Sequence, residues 1–136
     1  MCSTVKLYAP VSPHQLAKVI NTGWQDFFLC SDEQKYFFPK LHQGFAEMLA
    51  RQWEAKVYSA GYVVCLDIRC AFINQFPLET VAYEEHLEYR IPSNFLDQFN
   101  QSLVSKIQLL SAFEGVVKGI DESDQREPVL RQVVGY

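Results

Sequence analysis

The residues best suited to chemistry lie in an alternating segment between residues 83 and 91. The alternation places mostly apolar side chains on one face of a predicted strand and ionisable side chains on the other. The ionisable set is Glu84, His86, Glu88 and Arg90. Two carboxylates beside a histidine can shift one another's ionisation, which is what general acid or base catalysis requires. The same alternation is also typical of a half-buried strand whose polar face is solvated, and this is the alternative interpretation.

A metal site is a second possibility for this face, because carboxylate and imidazole groups bind divalent ions. Three successive residues on one face of a strand converge poorly on one ion, and no second histidine lies close in sequence. We therefore expect no metal site. The sequence also contains no G-x-S-x-G motif and no glycine-rich phosphate loop. The cysteines form no C-x-x-C pair, and we assign them no chemistry.

An aromatic run, Tyr36-Phe37-Phe38, predicts a short strand that Pro39 stops. It has two interpretations, a strand of the core or a platform for a planar ring. The burial preference of phenylalanine favours the core.

The first elements of the chain are the most clearly marked. Residues 5–8 predict a strand, and Ser12, Pro13 and Gln15 form a capping box with proline at the first helical position. Gly23 stands where a left-handed C-terminal cap is expected. The apolar face of this predicted helix consists of Leu16, Val19 and Ile20.

Helices and strands alternate through the rest of the chain. A second helix should present an apolar stripe of Phe45, Met48, Leu49 and Trp53. The nearly continuous apolar run 62–68, after Gly61, predicts a central strand covered on both faces. Residues 71–76 fit either a helical turn or a continuation of that strand. We expect Pro92 to end the alternating strand, residues 93–100 to form a short helix, and residues 103–113 to form the last strand. Phe95, Leu96 and Phe99 should carry that short helix against the core.

Length and composition indicate one globular domain, since 136 residues with 49% hydrophobic and 21% charged residues can bury a single core. We place that domain at residues 3–115 and an acidic, turn-rich extension at residues 116–136. The net charge of -4 disfavours bulk nucleic-acid binding. No apolar stretch approaches the ~20 residues of a membrane span. The N-terminal residues lack the features of a secretory signal, so we expect a cytoplasmic protein.

The order of these pieces resembles the small ADP-ribosyltransferase-like domains. The matching stretches are Leu7-Tyr8-Ala9-Pro10-Val11-Ser12, the helix ending at Gly23, Tyr36-Phe37-Phe38, Glu88-Tyr89-Arg90-Ile91-Pro92 and Phe99-Asn100. The resemblance implies an α+β fold in which two small, mostly antiparallel sheets form a cleft with short helices outside, and NAD as the cofactor in that cleft.

The resemblance also implies residue roles. Glu88 is the catalytic candidate, polarising a ribose hydroxyl and stabilising the oxocarbenium-like state as nicotinamide departs. Tyr36 would lie beside nicotinamide, and Tyr8 and Phe38 are further cofactor-binding candidates. Glu84 and Glu85 remain alternatives to Glu88 as the functional carboxylate.

The first strand departs from the family pattern. Members of the family hold the cofactor with a His or Arg at a position that falls on Ala9 here. The leading prediction is transfer of ADP-ribose from NAD to an unknown acceptor, which the Glu88 face favours. The alternative, which Ala9 favours, is an inactive domain of the same fold that binds a nucleotide or a partner protein. An unrelated fold with an acidic structural strand is a third possibility.

Overall fold

A computed structural model describes residues 3–81 and 83–114 of the chain. Its strands are β1 (Thr4–Val11), β2 (Tyr36–Phe37), β3 (Ala60–Arg69), β4 (Leu78–Val81), β5 (Tyr83–Tyr89), β6 (Ile91–Pro92) and β7 (Gln108–Glu114). Its α-helices are α1 (Pro13–Asn21), α2 (Gln43–Leu49), α3 (Ala55–Tyr58), α4 (Cys70–Ile73) and α5 (Leu96–Gln101). A π-helical turn, Ala50–Glu54, joins α2 to α3, and a 3₁₀ turn, Ser93–Phe95, precedes α5. The predicted extension at 116–136 lies outside the described residues.

The strands pair antiparallel in three small sheets. The largest has the order β1-β3-β7, and two-stranded sheets form from β2 with β6 and from β4 with β5. Single bridges from Lys40 to Tyr8 and to Glu88 connect β1 to β5, so that the β4-β5 pair continues the largest sheet. The α+β class with small antiparallel sheets is confirmed. β4 has no counterpart among the sequence predictions.

Local sequence signals at the N-terminus are confirmed. Ser12 caps α1, and its side chain accepts the Gln15 N–H while the Gln15 side chain accepts the Ser12 N–H. Gly23 follows the helix with a φ of +73°, as a left-handed cap requires. Leu16 and Val19 are buried, but Ile20 is exposed, so the predicted apolar face is one residue too wide.

The second helix differs from its prediction because it contains the π-helical turn. The buried residues along it are Phe45, Ala46, Ala50 and Ala55. The last two are five residues apart, the spacing of a π-helix rather than an α-helix. This wider turn moves Trp53 off the packed side, and its side chain is 62% exposed. The predicted stripe through Trp53 was therefore wrong.

The central position of β3 is confirmed, since it lies between β1 and β7 and is buried along most of its length. One face of this sheet packs in the larger core cluster, which includes Leu7, Leu66, Ile68, Phe37, Phe99 and Ile91. The other face packs under α2 and the π-helical turn through Ala46, Ala50 and Val63. The sheet is thus covered on both sides by different parts of the chain.

The later elements correct several boundaries. Residues 70–73 form helix α4, which decides between the two interpretations of that segment. The alternating strand ends at Tyr89, and Ile91–Pro92 pairs separately with β2. Phe99 is fully buried, with Phe95 and Leu96 packed beside it, as predicted. The last strand begins at Gln108 rather than Leu103.

Among the described residues, no helix is both long enough and apolar enough to cross a membrane.

Candidate functional site

Two chain segments, residues 36–41 and 87–92, lie antiparallel in one register, and we call this pair the ribbon. Tyr36 pairs with Pro92, Phe37 with Ile91, and Lys40 with Glu88. Between the strand β2 and Lys40, the Tyr89 N–H donates to the Pro39 carbonyl at 2.9 Å. Proline has no N–H to return, which breaks the ladder at that residue without ending the pairing.

The ribbon has an apolar inner face and a mixed outer face, because directly paired antiparallel residues project to the same side. The inner face carries Phe37, Tyr89 and Ile91, all buried. The outer face, which we call the ribbon face, carries Tyr36, Phe38, Lys40, Glu88 and Arg90. It therefore gathers two aromatic rings, two cations and one carboxylate.

Lys40 is the link between the ribbon and the main sheet. Its N–H donates to the Tyr8 carbonyl at 2.7 Å, and its carbonyl accepts the Tyr8 N–H at 2.8 Å. On the other side, the Leu41 N–H donates to the Leu87 carbonyl at 3.0 Å. These backbone bonds fix the Lys40 side chain on the same side of the sheet as the side chains of Tyr8 and Glu88.

An ion pair forms the centre of the ribbon face. Lys40 Nζ lies 2.5 Å from Glu88 Oε1, and Lys40 as a residue is only 7% exposed. Burial lowers the pKa of the Lys40 ammonium, while the hydrogen bond and the charge of Glu88 act in the opposite direction. Lys40 Nζ also lies 5.2 Å from the ring centroid of Phe45 and 5.7 Å from that of Phe38.

His86 extends this cluster along β5, two residues before Glu88. Its ring stacks on Phe45 of α2 with centroids 4.3 Å apart and planes 5° apart. His86 and Glu88 are both half-buried. For these two residues the interpretation as a solvated outer face was wrong, because α2 and Lys40 pack against that face. Glu84 also belongs to the predicted face. Its side chain lies outside the described residues, as does that of Glu85.

The other end of the ribbon face is open to solvent. Tyr36 is 42% exposed and Phe38 is 37% exposed, and their ring centroids are 6.3 Å apart. The Arg90 guanidinium lies 5.7 Å from the Tyr36 ring centroid and 3.6 Å from Glu79. Phe37, between the two rings in sequence, is buried. The aromatic run is thus divided, with Phe37 in the core and its two neighbours on the surface.

The first strand places Tyr8 and Ala9 on opposite faces of the sheet. Tyr8 is half-buried against Ala46, Ala50 and Val63, on the same side as Lys40. Ala9 is 5% exposed and belongs to the larger core cluster on the other side. The position at which the family pattern has His or Arg therefore does not project toward Glu88.

The structure brings most of the predicted site residues together. Tyr36, Phe38 and Glu88 share the ribbon face, and Tyr8 pairs with its central residue. Lys40 was missed by sequence reasoning, although its place in the alternation Tyr36, Phe38, Lys40 is a signal that could have identified it. Among the described residues, no group of three His, Cys, Asp or Glu side chains is placed to hold a metal ion.

Two cavities accompany the site. The larger, of about 550 Å³, is an open polar groove that includes Asp26, Asp97, Asn100 and Lys106, away from the ribbon face. The smaller, of about 150 Å³, lies beside the ribbon and is lined in part by Ala9, Phe38 and Lys40. The ribbon face shares Phe38 and Lys40 with this smaller cavity, and its Tyr36 end is open to solvent.

Comparison with known proteins found no matching family model, no matching curated protein and no matching solved structure.

Proposed function

We propose that the chain is an ADP-ribosyltransferase-like domain that binds an NAD-type dinucleotide on the ribbon face. The observation that carries the proposal is the grouping of exposed Tyr36 and Phe38 with the cations of Arg90 and Lys40 on one surface. Aromatic rings stack on the planar ring of a nucleotide, and a guanidinium pairs with phosphate through two parallel hydrogen bonds. The other proposed contact is Tyr8, which lies beside Lys40 in the next strand.

Of the two activities predicted from the sequence, the geometry favours binding without transfer. Glu88 is engaged by Lys40 at 2.5 Å, so a ribose hydroxyl must compete with a buried ammonium for that carboxylate. Ala9 adds no hydrogen bond or charge, and it projects into the core on the far side of the sheet. Both features remove groups that a transferase needs at the reacting sugar.

ADP-ribosyl transfer is the second candidate, and one observation favours it. Lys40 contacts Oε1 of Glu88, which leaves Oε2 as the oxygen for a ribose hydroxyl. In that reaction the bond between the ribose and nicotinamide breaks, the acceptor forms the new bond to the same carbon, and the acceptor gives up its proton. An ionised carboxylate stabilises the positive charge that develops on the sugar.

A thermal shift with NAD and with ADP-ribose tests the proposed binding. A ligand at a hundred times its dissociation constant stabilises the folded state by about 2.7 kcal/mol. We expect such a shift for the unchanged protein and its loss in a Tyr36→Ala/Phe38→Ala double variant. Trp53→Ala is the matched control, because it removes an exposed aromatic side chain from the π-helical turn instead. No shift at millimolar ligand, or equal shifts in all three proteins, would contradict the proposal.

Release of nicotinamide from NAD distinguishes the two activities. A binding module leaves NAD intact over hours, with water as the only acceptor present. Transfer chemistry releases nicotinamide at a rate that falls by orders of magnitude in Glu88→Gln. A measured rate that Glu88→Gln leaves unchanged would remove Glu88 from the catalytic role.

A further inference from the structure

An exposed apolar pair lies on the outer side of the helical stretch 50–58. Trp53 of the π-helical turn is 62% exposed, and Val57 of α3 is 53% exposed. Side chains four residues apart in a helix are neighbours, so the two form one apolar surface, which we call the Trp53 patch. Large aromatic side chains dominate the energetics of interfaces, which makes this patch a contact surface for another chain segment.

The charged residues exposed around the Trp53 patch are basic. Arg51 and Lys56 are exposed, whereas Glu54, the acidic residue of the same stretch, is half-buried. Among the described residues, neither cation takes part in an ion pair. Charge complementarity therefore favours an apolar segment that is accompanied by acidic residues.

The last described strand ends next to this surface. Glu114 at the end of β7 pairs with Ala60, which follows α3 after a single residue. The Arg51 guanidinium lies 5.6 Å from the ring centroid of Phe113, the neighbour of Glu114 in sequence. The residues that follow Glu114 therefore start beside the helical stretch that carries the Trp53 patch.

The sequence after Glu114 contains an apolar segment of matching chemistry. Its apolar residues recur at the spacing of one side of a helix, and they are Val129, Leu130, Val133 and Val134. Gln132 falls on the opposite side in this pattern, and Pro128 and Gly135 stand where the start and end of a helix favour them. A helix this short is marginal in water on its own, so the pattern requires an apolar surface to pack on.

The stretch between β7 and this segment supplies both length and charge. Its thirteen residues, 115–127, can span roughly 40 Å when extended. Its second half contains four acids and one base, which are Asp121, Glu122, Asp124, Glu127 and Arg126. A chain that returns to the Trp53 patch brings these acids near Arg51 and Lys56.

We propose that the C-terminal segment 128–135 docks on the Trp53 patch of its own chain, with its apolar side against Trp53 and Val57. The acidic stretch 121–127 then lies near Arg51 and Lys56. Docking removes apolar surface on both partners from water, and the tether to β7 gives the segment a high effective concentration at the patch. This interaction goes beyond nucleotide binding and does not depend on it.

Nuclear Overhauser contacts in the full chain, with valine and leucine methyl groups labelled, test the docking. We expect contacts between the Trp53 indole ring and the methyl groups of residues 129–134. Val133→Asp should abolish them, because it places a charge on the apolar side of the segment. Gln132→Asp is the matched control, since it adds the same charge on the opposite side and should leave the contacts in place. Amide spectra check that the sheet is folded in both variants.

Three results would overturn the proposal. No contact between Trp53 and residues 129–134 in the unchanged protein would show that the segment does not dock there. Contacts that Val133→Asp and Gln132→Asp change equally would exclude recognition through the apolar side. Contacts found only between labelled and unlabelled copies in a mixed sample would assign the patch to the segment of a second copy.

Discussion

At the scale of single residues, the Lys40–Glu88 pair is the feature most in need of explanation. Its two side chains are 9% and 15% exposed, so both charges have lost most of their hydration. Buried ion pairs of this kind contribute little net stability, because desolvation offsets the attraction between the charges. Their removal one partner at a time is nevertheless destabilising, because the remaining charge is left unpaired. The pair is therefore weak evidence for a net contribution to stability.

Removing one partner of this pair should cost much more than removing both. We expect Lys40→Met to lower the free energy of unfolding by about 3 kcal/mol or more, and Lys40→Met/Glu88→Leu to recover most of that loss. Urea unfolding followed by circular dichroism measures both. Lys6→Met is the matched control, because Lys6 is exposed and its 3.6 Å pair with Asp67 should contribute less than about 1 kcal/mol. A double variant no more stable than Lys40→Met would contradict this energetic picture.

Glu54 should make the stability of the protein depend on pH in a defined direction. Burial raises the pKa of the Glu54 carboxyl above its usual value of 4.5. The folded state therefore holds this proton more tightly than the unfolded state. The resulting destabilisation is absent below pH 4.5 and is complete once the pH exceeds the raised folded-state pKa.

Glu54→Gln removes this titration. We expect the variant to melt at a higher temperature than the unchanged protein at pH 7, with the difference shrinking as the pH falls toward 4. Glu33→Gln, at an exposed position, should show no such gain. Melting curves across this pH range provide the measurement, and a gain for Glu54→Gln that is constant with pH would argue against burial as its cause.

At the scale of elements, the π-helical turn and β3 depend on one another. β3 packs against the turn at Gly61, where a Cβ would meet the Ala50 carbonyl oxygen at 2.4 Å and the Ala55 nitrogen at 3.0 Å. Both of these atoms belong to the backbone, so a clash cannot be relieved by rotating a side chain.

Gly61→Ala should therefore destabilise the protein, by about 1–3 kcal/mol as overpacked sites do. Gly44→Ala is the matched control in α2, because no atom beyond its chain neighbours and its own helical backbone lies within 4 Å of the added Cβ. That substitution should be neutral or stabilising by up to about 1 kcal/mol, since alanine is the better helix former. Denaturant unfolding of the two variants compares them, and equal effects would contradict the close packing at Gly61.

Some elements could be predicted from the sequence and others could not. The difference is whether an element is defined by residues close in sequence or by contacts with distant residues. The start of α1 was predictable because Ser12 and Gln15 form its cap within four residues. The stripe through Trp53 was not, because a π-helical turn interrupts the 3.6-residue period and no local pattern marks it. β4 was missed because Leu78–Val81 is short and is defined by its pairing with β5.

At the scale of the whole molecule, some residues of the ribbon face could be identified from the sequence and others could not. Tyr36, Phe38 and Glu88 were named from a resemblance, and the structure places all three on one surface. Lys40 was not named, because its role comes from pairing with Tyr8 and Glu88, which are distant in sequence. For His86 and Glu88 the solvated interpretation failed for the same reason, since α2 packs on that strand from 40 residues away in sequence.

The distribution of charge is compatible with an anionic ligand at this surface. The net charge of -4 is concentrated in two acidic segments, and residues 79–88 alone contribute Glu79, Glu84, Glu85 and Glu88. Two of these acids face a basic partner, since Glu79 lies 3.6 Å from Arg90 and Glu88 pairs with Lys40. The ribbon face is consequently not a purely acidic surface, despite its place in the acidic part of the chain.

Solution NMR with a ¹⁵N-labelled full chain tests nucleotide binding by the ribbon face most directly. Titration with NAD should shift the backbone amide resonances of the non-proline residues in 36–41 and 87–92 in a saturable manner, with the strongest effects near Tyr36, Phe38 and Arg90. Resonances of the polar groove that includes Asp97 and Lys106 should stay in place. Shifts confined to that groove, or no saturable shift in the ribbon at millimolar NAD, would contradict the proposed function.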